Sequence, residues 1–151
     1  MSKFEELCKA YAASRQAYRE SCQACLDFSE IFIKQMSDYL ECPIHQQNPK
    51  FDEDGILHFN GAIDICENPG NPDKGDRETV EIYLSVNKVI DNFIVTVYPW
   101  GHEFKILIDE PRHFEEAYEY IFDTLKSTQL IGAQASSHQN PILYLFKDLH
   151  S

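Results

Sequence analysis

From Lys3 to Glu41 the chain carries neither glycine nor proline, and Pro43 follows as a stop signal. At about 100° per residue, Phe4, Leu7, Cys8, Tyr11, Tyr18, Cys22, Cys25, Leu26, Phe32, Ile33, Met36 and Leu40 fall on one broad face. The pattern predicts one helix over Lys3–Leu40, about 57 Å long. Every seventh residue from Phe4 reads Phe4, Tyr11, Tyr18, Cys25, Phe32, Tyr39, but the companion positions Leu7, Ser14, Ser21, Phe28 and Gln35 are mixed. A regular two-stranded coiled coil is therefore not expected. The C-terminal half should pack on a sheet. The N-terminal half should either kink near Ser14–Arg15 or meet a second copy of itself.

The period then changes. Residues 42–55 read as a loop closed by an Asp54–Gly55 turn, and "ILHFNGAIDIC" alternates as a half-buried strand. Leu57, Phe59, Ile63 and Ile65 lie on one face, with His58, Asn60, Ala62 and Asp64 on the other. "ENPGNPDKGDR" is an exposed connection. "ETVEIYLSV" turns Val80, Ile82, Leu84 and Val86 inward and Glu81 and Tyr83 outward. "FIVTVYP" and "EFKILID" supply two more strands around the turn "PWGH". Asp109 or Glu110 should cap a helix with Pro111 in its first turn, its apolar face made by Phe114, Tyr118, Ile121, Phe122 and Leu125. Residues 141–149 suit a short helix, or alternatively a fifth strand. The expectation is a single two-layer α+β domain over residues 1–151: long helix, four-stranded antiparallel meander, then C-terminal helices.

Charge narrows the partners. The formal net charge is −12, much of it between Asp52 and Glu81 and at the start of the last long helix. Phosphate contact needs Lys and Arg, so direct nucleic-acid binding is disfavoured. No apolar run approaches the roughly 18 residues of a membrane span, and the N-terminus is charged from its third residue, unlike a signal peptide. Five cysteines, an odd number, fit free thiols in a reducing cytoplasm.

The chain's most chemical-looking stretch is "CQACLDFSEIFIKQMSDYLECP", with Cys22 and Cys25 as a C-x-x-C pair. Structural zinc needs a second ligand pair at matched spacing, and none exists here. A thioredoxin-type pair opens a helix after a strand, whereas Cys22 follows some twenty helical residues. Lying on the apolar face, these thiols read as packing. No metal or other cofactor is expected. The six histidines show no metal spacing. His58 and Asp64 share a strand face and could act as base and orienter, but a solvated sheet surface is the favoured reading of the pair. "DEDG" and "NPDKGDRE" lack the alternating oxygen ligands of a calcium loop.

Trp100, the single tryptophan, sits in a turn between Pro99 and Gly101. Tyr98 and Tyr83 share the outer sheet face with Glu81, and Asp73, Asp76 and Glu78 precede them. Exposed aromatic residues among acids are what a protein-binding hot spot uses. In size, charge and element order alone, the chain resembles bacterial immunity proteins, phage inhibitors of host defence and type III secretion chaperones. The expected function is non-enzymatic binding, and neutralisation, of a basic protein partner through these seven residues, with a homodimer through the N-terminal helix. The alternatives are a small-molecule binder or enzyme with a pocket between helix and sheet, or an acidic chaperone for an exported protein.

Overall fold

The Ser2 hydroxyl accepts the Glu5 N–H at 3.1 Å and so starts α1, Lys3–Leu40. Glu41 ends it in the left-handed region at φ 57°, and the N–H of Cys42 returns to the Ser37 carbonyl. Between these caps the helix runs unbroken through Ser14–Arg15. The computed structural model describes residues 1–134, with side chains through Ser127. The predicted element over 141–149 lies outside the described residues.

Five strands follow: β1 (His45–Phe51), β2 (Leu57–Cys66), β3 (Arg77–Val89), β4 (Asn92–Tyr98) and β5 (His102–Ile106). They pair in chain order, all antiparallel, before α2 (Pro111–Gln134). This is the α+β meander that the alternation predicts, with one strand more. The addition is β1, in the stretch expected to be a loop. Its sequence HQQNPKF has a single large apolar residue, and its register shifts between Gln47 and Lys50, around Asn48 at φ 53° and Pro49. An edge strand tolerates proline and a bulge that a central strand could not.

Both helices cover the same sheet face. Phe28 of α1 stacks on Phe93 of β4 with ring centroids 4.2 Å apart. Phe32 meets Phe114 and Tyr118 of α2, and the Tyr118 hydroxyl donates to the Phe32 carbonyl at 2.8 Å. Buried Ser29 accepts from the Gln46 amide at 2.8 Å, which fastens β1 to α1. At Gly61 a Cβ would stand 3.1 Å from both Ile33 and Ile44, so the helix lies as close to β2 as it does because that position is glycine.

The helix outruns the sheet it covers. Tyr18 lies over Gly55 at one end of β2, and Ile33 and Met36 over Gly61, so α1 runs in the direction of β2. Its burial begins only at Cys25, and every residue from Met1 to Glu20 is exposed. Residues 3–17 therefore project about 22 Å past the sheet as a free arm.

Candidate functional site

The sheet face away from both helices carries a connected row of polar and aromatic side chains. Antiparallel pairing sets Tyr83 of β3 opposite Tyr98 of β4, Asn60 of β2 opposite Tyr83, and His58 opposite Ser85. The Tyr83 hydroxyl donates to the Glu81 carboxylate, two residues along the same strand. Burial, then the neighbouring carboxylate, pushes the Tyr83 phenol well above its ordinary pKa. The Ser85 hydroxyl reaches the Tyr98 hydroxyl at 3.4 Å, and the Asn60 amide donates to Gln47 at 3.1 Å. Asn60 and Ser85 are buried beneath the larger side chains around them. The row is thus held in place by its own bonds.

Trp100 follows at the β4–β5 turn. It is 48% exposed, unusual for the chain's one tryptophan, and Gly101 beside it adopts φ 72°. Because β4 stops at Tyr98, opposite Tyr83, β3 continues alone with β2 from Ile82 back to Arg77. The outer ends of β2 and β3 form a two-stranded ribbon on the same end of the sheet as Trp100. Between Asp64 and Glu81 the ribbon and its loop hold six carboxylates against Lys74 and Arg77. The loop is folded back on itself: Glu67 accepts the Asp76 N–H at 3.1 Å, and Arg77 pairs with Asp73 at 3.6 Å. A cleft of about 540 Å³ opens where Pro72 faces the strands near Cys66 and Thr79.

Of the seven residues singled out from sequence, Tyr83, Tyr98 and Glu81 share one face, with Trp100 in the turn at their end. Asp73 and Asp76 lie in the ribbon loop. Glu78 shares its side of β3 with Val80 and Ile82, so it lies on the sheet face opposite the aromatic row.

The β3 edge of the ribbon is open. Among the described residues no strand pairs with Arg77–Ile82 on the side where β4 would lie. The other edges are guarded: β1 by Pro49, Lys50 and its bulge, and β5 by its five-residue length and the charges Glu103 and Lys105. The β3 edge has an unbroken register with β2 and no proline.

The pairing expected of His58 is corrected. Its Nε2–H donates to Asp52 at 2.8 Å, while Asp64 accepts from the Thr79 hydroxyl at 2.7 Å. Asp52 also accepts the N–H groups of Asp54 and Ile56. The His58 bond, helped by these amides, holds the Asp52 carboxyl below its ordinary range. The signal that could have found Asp52 was the Asp54–Gly55 turn. It closes a hairpin that brings residue 52 back beside 58 only once β1 is read as a strand.

Cys25 is buried in the core and Cys22 half-buried, while Cys8 is exposed on the arm. Burial raises the Cys25 thiol above its ordinary pKa. Among the described residues, no three His, Cys, Asp or Glu side chains come together as a metal site, and no helix is long and apolar enough to cross a membrane. Comparison with protein-family models, curated proteins and solved structures found no match for this chain.

Proposed function

We propose that this protein is a non-enzymatic cytoplasmic binding module that neutralises a basic protein partner by covering its working surface. The observation that carries the reading is the outer sheet face. It presents Tyr83, Tyr98 and an exposed Trp100 at the foot of an acidic ribbon, with both described helices on the opposite side. Aromatic anchors fixed before binding lose little entropy when a partner covers them, and acids around them steer a basic partner inward. The open edge of β3 beside Trp100 adds main-chain donors and acceptors that an extended basic segment of the partner can pair with. The proposal includes self-association through the projecting arm of α1, which leaves this face free at the far end of the molecule.

Capture from extracts of the native host tests it. The parent protein should retain a partner of net positive charge, released by raised salt, and Trp100→Ala should retain at least ten times less. Equal recovery on both baits would remove the anchor from the outer face.

A further inference from the structure

The arm end of the molecule is a second surface with unfilled requirements. Phe4, Leu7 and Tyr11 are 73%, 70% and 68% exposed and continue to Tyr18 on one stripe. A free helix of this length is marginal in water, and such a stripe gains stability only when something covers it.

A second exposed apolar group lies at the same end. The Cys25 thiol lies beside the Lys88 backbone, and β3 runs against the direction of α1. The next turn, Val89–Asn92, therefore sits about level with Ser21. At its tip Ile90 is 83% exposed with φ 57°, a conformation glycine adopts freely and a β-branched residue does not. Its side chain is displayed where asparagine or glycine would be the relaxed choice.

Charge identifies what covers this end. Lys3–Glu20 holds four cations (Lys3, Lys9, Arg15, Arg19) and three carboxylates (Glu5, Glu6, Glu20), a near balance on a chain of net −12. Two copies meeting elsewhere would press like charges together; meeting here they do not.

We propose that the arm docks antiparallel on the arm of a second copy, crossing at Tyr11. This geometry develops the self-association proposed above and rests on it. Phe4 then faces Tyr18 of the second copy, and Cys8 lies level with Ser14. The tip of each arm reaches the Ile90 turn of the other copy. A parallel pair would instead set the two tips together, away from either Ile90 turn, and bring the two negatively charged bodies side by side. Phe4, Leu7, Tyr11 and Tyr18 of two copies, at about 130 Å² each, bury roughly 1,000 Å². Met1 and Ile90 bring this to the roughly 1,200 Å² at which specific interfaces begin.

Sedimentation of the full chain between about 5 and 100 μM, joined to thiol oxidation and mass-spectrometric mapping, tests the arrangement. The parent should sediment as a dimer. It should give almost no Cys8–Cys8 bridge, because these residues are offset by about 9 Å along the crossed arms. Ser14→Cys should yield a bridge between Cys8 and the introduced thiol of the other copy. Tyr11→Glu, at an exposed position, should keep its circular dichroism and weaken the dimer at least 100-fold. A monomer at every concentration would overturn both this arrangement and self-association. A dimer bridged Cys8 to Cys8 would overturn the antiparallel crossing and leave self-association standing. A Tyr11→Glu protein still dimeric at the parent's affinity would move the contact off the arm.

Discussion

His58 and Asp52 show how much one side chain's setting depends on a strand that sequence patterning misses. The His58 hydrogen bond, with amides from Asp54 and Ile56, depresses the Asp52 pKa in the folded state. Its contribution to stability is therefore complete above the carboxylate's unfolded pKa and disappears as pH falls through the folded value. His58→Ala should move the Asp52 carboxyl titration upward, read by carbon-13 chemical shift, and soften the acid side of the stability profile. An unmoved Asp52 titration would mean that the amides alone hold it. Ile90 is the opposite case, a local conflict visible only in the backbone. Ile90→Asn should stabilise the monomer by about 0.5–1 kcal/mol in urea unfolding, because it relieves a left-handed β-branched residue that packs on little. No loss or gain of stability would show that the turn relaxes around isoleucine.

Among the elements, α1, α2 and the four alternating strands were legible because each repeats its period over several residues. Of the inward sets, Leu57, Phe59, Ile63, Val80, Ile82, Leu84 and Val86 are buried and Ile65 is partly buried. β1 was not legible, since an edge strand is held by backbone bonds to β2 and by Gln46 on Ser29, and neither leaves an apolar rhythm. Of the outer face, alternation placed Tyr83, Glu81 and Tyr98 together; the bonds that lock them depend on cross-strand register, which no single strand's pattern encodes. What joins the two helices is similarly hidden. Phe114 and Tyr118 were predicted on the inner face of α2, but the bond from Tyr118 to the Phe32 carbonyl spans 86 positions of sequence. Tyr118→Phe keeps the ring contacts with Phe32 and Phe114 and removes that bond. It should cost about 1 kcal/mol in denaturant unfolding, with the helical signal unchanged. A cost near zero would mean that the hydroxyl exchanges this carbonyl for water without loss.

At the scale of the whole molecule, the two unfilled surfaces sit at opposite ends of the sheet. The arm end is apolar and near charge balance; the ribbon end is acidic, with an aromatic row and an open strand edge. In the proposed arrangement, this separation would hold the two partner sites of a dimer apart. In the proposed function, acids and aromatics at the ribbon end divide the work of binding, and surface plasmon resonance with the captured partner at two ionic strengths tests this division. Trp100→Ala should weaken binding by about 2 kcal/mol or more through faster dissociation. Neutralising Asp73, Asp76 and Glu78 together should slow association and flatten its dependence on salt while leaving dissociation nearly unchanged. Both variants binding with the parent's rates would contradict the account and move the site to another surface, the acidic helix from Glu110 to Asp123 first.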